Sequence, residues 1–476
     1  MDTDVVIAGA GPNGLLTACE LALAGVRTVV LERSAEPESS RRANGLVGRV
    51  VEALDQRGLY ERFGGRGAPR PVPYFQFGAL GLDMTALEGN SLHALPIPQR
   101  RMELLLAERA AELGVEIRRG HEFVALRQCD DRVTVSVDAE TGPYEVSARF
   151  LVGADGGHSP VRKACGIDFV GMTDRGSAGL SGRVVIPAQF AAPDTGELDI
   201  PGLGRLRPAT FTRTETGLFA FGLFQPGVHL VSVVEWGAET AAREDWSWQP
   251  STLDELAAAM HRVLGVDIPV TAPPEGPDVR RTTTTNSRQA DRYRHGRVFL
   301  VGDAAHVQSA VGGPGLNLGM LDALNLGWKL AADVHGWAPP WLLDTYQAER
   351  HPVGERVIIS SRAQMALLGP GPNVTALRHV FDELLRSPEN VRHISDLMSG
   401  ADTRYDSPHD RAPHDLAGRW MPDLHLRTAT GPTRVAEVLR AGCPVLFELA
   451  GRDDLSAAAS RWAGRVDVVT ATTPQP

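Results

Sequence analysis

The feature that most constrains this chain is a run of glycines placed between a strand and a helix. Val5–Ala8 is a short, wholly apolar run that reads as a buried parallel strand. Gly9-Ala10-Gly11-Pro12-Asn13-Gly14 follows, and then Leu15, Ala18, Cys19, Ala22 and Leu23 recur at helical spacing. Gly25 closes the helix, and Thr28–Leu31 is the next strand, with Glu32 at its end. Each glycine has a separate job: Gly9 permits the tight turn, Gly11 lets backbone approach a pyrophosphate, and Gly14 lets helix and strand pack closely. Pro12 suits the first helical position, where a missing N–H costs nothing. The helix start then offers bare N–H groups and a partial positive charge to phosphates. Glu32 lies 18 residues beyond Gly14, where a carboxylate can accept both hydroxyls of an adenosine ribose. The unit predicts a dinucleotide-binding crossover; by itself it does not separate FAD from NAD.

Two further glycine segments follow apolar strands. Phe150–Val152 runs into Gly153-Ala154-Asp155-Gly156-Gly157-His158-Ser159-Pro160-Val161-Arg162. Ser159 is a candidate N-cap and Pro160 a first helical residue. Val298–Val301 runs into Gly302-Asp303-Ala304-Ala305-His306 and then Gly312-Gly313-Pro314-Gly315-Leu316-Asn317, which opens a long helix over about 316–334. Asp303 can accept hydrogen bonds from a ribityl chain. The helix opening can aim donors at a flavin N1–C2=O edge, which becomes negative on reduction. His306 reads as a packing histidine rather than a base.

Composition narrows the class. The 476 residues suffice for two to four domains. Lys and Arg number 48 against 58 Asp and Glu, a net charge of −10, so no broad basic field exists to hold nucleic acid or anionic lipid. Four well-separated cysteines (Cys19, Cys129, Cys165, Cys443) form no CxxC and no zinc spacing, which fits a reducing cytoplasm. The first residues lack a signal-peptide pattern, and no apolar run reaches the 18 or so residues of a membrane helix. Residues about 177–280 alternate in polarity and carry aromatic runs such as Leu218–Phe221, predicting a mostly antiparallel sheet. After about residue 395 the chain turns Pro-, His- and Asp-rich, like a linker, and Val445–Leu449, Leu455–Trp462 and Val466–Thr470 predict a small strand–helix–strand module.

The three ordered motifs together resemble the class A flavoprotein monooxygenases, with the para-hydroxybenzoate hydroxylase fold, and within them the bacterial polyketide aromatic hydroxylases and rifampicin monooxygenase. The resemblance covers about residues 1–365 strongly and the tail weakly. It implies an α/β fold: a Rossmann-like FAD-binding domain (1–73, 97–176 and, with long helices, 281–395), an inserted, mostly antiparallel β substrate domain (74–96 and 177–280), and a thioredoxin-like C-terminal domain without CxxC (396–476). It places Gly9, Gly11, Pro12, Asn13 and Gly14 around the pyrophosphate, Glu32 on the ribose and Arg33 near the adenine. Arg42 and Ala43 match the mobile-flavin loop, with Arg42 positioning the ring, and Gln99 matches a flavin-contacting glutamine. Val124 is a match through its backbone. The segment Asp155–Arg162 serves FAD and the transient NADPH, Asp303 the ribityl–pyrophosphate, and the opening Gly313-Pro314-Gly315-Leu316-Asn317 the ring.

The resemblance further implies FAD as cofactor, NADPH and O2 as co-substrates, and a small-molecule aromatic substrate oxygenated through a flavin C4a-hydroperoxide, in a monomer or homodimer. Phe77, Phe211, Phe221 and Ser309 are candidates for the substrate pocket, alongside Tyr74–Gln76, Phe219 and Phe224, although a sheet core also uses such aromatics. Arg205, Arg207 and Arg213 are candidates to meet an anionic substrate, but read better as a solvated strand edge. The chain departs from the family where a Pro pair and a Gly-Gly-Gln-Gly run are usual: Ser309-Ala310 replaces the prolines and Pro314 the glutamine. Competing readings are a same-fold FAD reductase, oxidase or Baeyer–Villiger oxygenase, a flavin halogenase suggested by Trp246-Ser247-Trp248-Gln249-Pro250, and a non-catalytic flavin binder. The halogenase motif lacks its isoleucine, so that stretch reads as a capping segment.

Overall fold

The computed structural model describes residues 2–36, 45–174, 176–192, 195–237, 251–282, 285–406 and 414–473. Arg42, Ala43 and the segment Trp246–Pro250 lie outside these residues.

The first three glycine-bearing strands become neighbours. In a six-stranded sheet the order is Arg294–His295, Val298–Leu300, Phe150–Gly153, Val5–Ala8, Thr28–Glu32 and Glu116–Arg119. All pairs are parallel except the first. The register aligns Ala8 with Gly153 and Gly153 with Leu300, so the three glycine segments leave the sheet side by side at its carboxyl edge. Parallel strands covered on both faces read as unbroken apolar runs, and Val5, Val6 and Ile7 are fully buried. Gly9 takes φ +107°, and a methyl there would lie 2.4 Å from the Ala154 carbonyl oxygen. A methyl on Gly14 would lie 2.0 Å from the Gly9 oxygen.

The glycine helix Pro12–Leu23 is clasped by the helices Gln99–Glu112 and Pro314–Val334. The closeness of the last rests on small residues. A methyl at Gly327 would come 2.6 Å from Glu20 Cβ, and one at Gly319 2.7 Å from Gly302 Cα.

A five-stranded antiparallel sheet forms the second layer, in the order Phe211–Arg213, Gly217–Gln225, Val228–Trp236, Ser177–Val184 and Val279–Thr282. The helix Leu253–Leu264 covers one face. Thr252 and Glu255 close a capping box at its start, and Gly265 ends it in the left-handed region (φ 74°). The hairpin Tyr74–Phe77 with Leu80–Asp83 packs elsewhere, on the helices Asp344–Leu368, Pro372–Leu384 and Pro388–Ser399. The domain boundary expected at 396 falls inside the last of these helices.

The C-terminal unit holds the hairpin His425–Thr428 with Gly431–Arg434 and a parallel pair, Val445–Glu448 with Asp467–Thr470, joined through the helix Asp453–Ala459. Its anchor is ionic. Asp55, almost fully buried on the first domain, accepts from Arg434 at 2.9 Å and Arg440 at 3.0 Å.

Candidate active site

The carboxyl edge of the parallel sheet opens into a cavity of about 1860 Å³ that runs on to the antiparallel sheet. At one end stands Glu32. Its two carboxylate oxygens accept the Ala10 N–H at 2.8 Å and the Ser34 N–H at 2.9 Å. These bonds fix the carboxylate at the rim and leave lone pairs for a ribose. Arg33 lines the same end. Gly11 ends the turn in an extended conformation, and a methyl built there meets nothing within 4 Å. The helix start therefore faces open space bounded by backbone N–H groups, a cradle that any Cβ would begin to fill.

Two buried oxygens point to a polar ligand in this cradle. Asn13 packs its amide against Gly302 and Gly319, and its Oδ1 has no partner. Asp155 accepts the Val161 N–H at 2.9 Å through Oδ2, while Oδ1 is buried and unpartnered. Burial pushes the Asp155 carboxyl above the usual carboxylate range. Orphaned buried acceptors are costly, so a dinucleotide bearing hydroxyls at this edge fits the donor and acceptor set. Asp303 lines the cavity and is exposed.

The long helix begins at Gly313 (φ 69°), with Pro314 at its first position. Gly312, Gly313, Gly315 and Leu316 line the cavity. Asn317, expected to meet the ring, is committed elsewhere: its Oδ1 accepts the Val47 N–H at 3.0 Å and its Nδ2 donates to the Gly313 carbonyl at 2.6 Å. It fastens the strand Gly45–Val47 to the helix start. Gln99, in the first turn of its helix, lines the cavity and donates to Glu103 at 2.8 Å. Val124 sits at a bulge of the strand His121–Gln128 with its side chain 58% exposed, while its neighbours Glu122 and Phe123 line the cavity.

Behind this wall lies a buried charged knot. His306 Nε2 donates to Asp322 Oδ2 at 2.6 Å, Arg350 Nε to Asp322 Oδ1 at 2.7 Å, and the Gly302 N–H to Asp322 Oδ2 at 3.2 Å. Arg350 also reaches the Tyr405 hydroxyl and the Leu318 carbonyl. Burial alone would raise the Asp322 carboxyl, but Arg350 and His306 hold it below its ordinary value. His306, fully buried here, positions the Gly302–Ala305 turn.

The far end of the cavity sorts the aromatic candidates by face. Strand alternation puts Phe219 and Phe221 under the helix Leu253–Leu264, where both are buried and stacked at 5.9 Å. Phe221 is thus core and not pocket, a correction to its expected role. Phe77 is likewise core, stacked on Phe381 at 5.8 Å. Phe211 and Ser309 do line the cavity, with Tyr74, Phe75 and Gln76. Gln76 accepts the Phe211 N–H at 2.8 Å and ties hairpin to sheet. A Phe221→Leu variant should lose about 1–2 kcal/mol of stability with substrate KM unchanged, and Phe211→Leu the reverse, in paired denaturation and steady-state measurements.

Of the arginines, Arg205 and Arg207 are exposed at the cavity wall near Glu197, at 4.0 and 3.8 Å. Arg213 is nearly buried instead, donating to the Gly369 carbonyl at 2.8 and 3.0 Å. Sequence reasoning passed over Gln308, Gln364, Ala79 and Arg378, all on the wall. Ala79 holds a left-handed φ of 57°, and Arg378 donates to its carbonyl at 3.1 Å. Only Gln308 had a signal in sequence, its place between two motifs. Among the described residues no helix is long and apolar enough to cross a membrane.

Comparison with known proteins agrees with this geometry. Residues 2–361 match the family described as FAD binding domain, and residues 414–476 that described as aromatic-ring hydroxylase, C-terminal. The chain is 44% identical to the 12-dehydrotetracycline 5-monooxygenase/anhydrotetracycline 6-monooxygenase of Streptomyces rimosus, over 99% of this chain and 90% of that one. It is 40% identical to rifampicin monooxygenase of Streptomyces venezuelae, over 98% and 90%. The solved structure of anhydrotetracycline hydroxylase from Streptomyces rimosus superposes with a TM-score of 0.86 at 40% identity, covering 100% of this chain and 91% of that one. With a matched FAD-binding model over three quarters of its length and monooxygenases as its relatives, the chain belongs to the FAD-dependent aromatic hydroxylases.

Proposed function

We propose that this enzyme uses NAD(P)H and O2 to hydroxylate a polycyclic aromatic substrate of the polyketide or rifamycin kind. The observation that carries this reading is the size and continuity of the cavity. Single-ligand pockets run to roughly 300–1000 Å³. About 1860 Å³ between Glu32 and the antiparallel sheet accommodates an extended FAD and a fused-ring substrate together. Relatives that act on 12-dehydrotetracycline, anhydrotetracycline and rifampicin support the same substrate class.

FAD, when bound, supplies the transfer of reducing equivalents from NAD(P)H and of one oxygen atom from O2. The chain's own residues bind, orient and exclude water. Gly11 and the helix start Pro12–Gly14 take the pyrophosphate, Glu32 the ribose, Asp303 the ribityl hydroxyls, and Gly315 with Leu316 the ring's polar edge. Tyr74, Phe75 and Phe211 supply apolar surface to the substrate rings, which favours a dry site. Arg42 and Ala43 belong, on this reading, to the loop that positions the ring, and Asp155 serves FAD and the visiting NADPH. The C-terminal unit is thioredoxin-like in this reading but carries no redox role, since Cys443 has no cysteine partner in CxxC spacing.

The test is turnover with candidate polycyclic phenols. The expected result is substrate-accelerated NAD(P)H oxidation with a product one oxygen atom heavier and hydroxylated on the ring. NAD(P)H consumed into peroxide alone, with every substrate, would favour the oxidase reading; a ring-expanded ester would favour the Baeyer–Villiger one. An Asp303→Ala variant should purify largely as apoprotein. A full yellow complement in that variant removes Asp303 from the site.

A further inference from the structure

Gln308 stands out on the cavity wall. Both atoms of its carboxamide are buried, and neither has a hydrogen-bond partner. Its position is defined by the long helix: a methyl built on Gly315 would lie 3.4 Å from Gln308 Nε2. The carboxamide therefore sits over the first turn of Pro314–Val334, where Gly313, Gly315 and Leu316 also face the cavity.

Its neighbours are already satisfied. Asn317 has given its amide to Val47 and Gly313. The Ser309 hydroxyl accepts the Val311 N–H at 3.3 Å. Gln364, across the loop, accepts the Gly78 N–H at 3.3 Å. Pro314 has no N–H to offer, so this helix start presents one donor fewer than a start built from other residues. One polar side chain is left over at the place where one donor is lacking. A buried amide with no partner is destabilising, and its retention points to a ligand that completes it.

Resting on the reading of this cavity as a flavin site, we infer that Gln308 is a positioning residue for the isoalloxazine. Its Nε2–H donates to the polar pyrimidine edge, in the role that Asn317 was expected to fill. A donor there favours the reduced, anionic ring over the oxidised one, so Gln308 sets reduction potential as well as affinity.

The experiment uses the full chain with FAD as the probe. Gln308→Leu replaces an unsatisfied amide by an apolar group of similar size, so apoprotein melting should be unchanged or higher. FAD dissociation, read by quenching of flavin fluorescence, should weaken about tenfold. The two-electron reduction equilibrium should shift about tenfold toward the oxidised form, about 30 mV more negative. Gln308→Glu keeps the length but opposes the reduced anion, and should lower the potential further. Flavin affinity and potential unchanged in both variants would overturn the inference, including the case where only substrate KM rises, which would make Gln308 a substrate contact. Wild-type protein that takes up no FAD would instead overturn the flavin site itself.

Discussion

A Gly11→Val variant is expected to fold normally and to purify almost colourless. Gly11 occupies an extended conformation (φ −72°, ψ 176°) that valine adopts without strain, and a side chain there enters open space. On the proposed reading, that space is where the pyrophosphate approaches the helix start. A branched side chain holds the phosphates away from the N–H groups and shields the helix dipole. We expect FAD affinity to fall by about 100-fold, roughly 3 kcal/mol, with the apoprotein's melting temperature unchanged. Gly14→Ala is the contrasting case: its methyl would overlap the Gly9 oxygen at 2.0 Å, so folding and cofactor should fail together. Titration with FAD and melting of the apoproteins separate the two. A Gly11→Val protein with a full flavin complement would move the pyrophosphate away from this turn.

Asp322→Ala should be strongly destabilising. It leaves Arg350 and His306 in the core, without their shared carboxylate, and frees the Gly302 N–H. Breaking a buried ionic network at one partner costs about 3–5 kcal/mol. Asp322→Asn keeps one acceptor for Arg350 and should lose less. Because the folded carboxyl is held below its ordinary value, its contribution is complete above the unfolded pKa and lost as pH falls through the folded one. The wild type's advantage should therefore be constant from about pH 8 to pH 5 and shrink below about pH 4. Denaturant titrations of both proteins across that range provide the check. An advantage that vanished near neutral pH would show that Asp322 is not ionised in the folded state.

The parallel sheet was legible because strands buried on both faces leave continuous apolar runs, and Val5–Ala8, Phe150–Gly153 and Val298–Leu300 are such runs. Gly9 and Gly14 of the first crossover were legible because the tight turn and the close helix–strand packing leave no room for a side chain. Side-chain commitments were not. Alternation shows that Phe219 and Phe221 share a face but not that a helix 30-odd residues later covers it. Asn317 carries the same letters whether its amide meets a ring or, as here, the Val47 backbone 270 residues away in sequence. Gln308 looks like any glutamine until its neighbours are seen to be satisfied. The boundary at 396 was set by the Pro-, His- and Asp-rich composition that follows it, and composition does not show that the helix Pro388–Ser399 runs across that point.

The adjacency of the three glycine-bearing strands bears on how the enzyme is made. Val5–Ala8 must wait for Phe150–Gly153, and that strand for Val298–Leu300, before the sheet's carboxyl edge exists. If, as proposed, the prosthetic group binds at that edge, it can be captured only late, once some three hundred residues have left the ribosome. Nascent chains released before that point should remain flavin-free, and a cell short of riboflavin should accumulate complete polypeptide awaiting its pigment rather than stalled fragments.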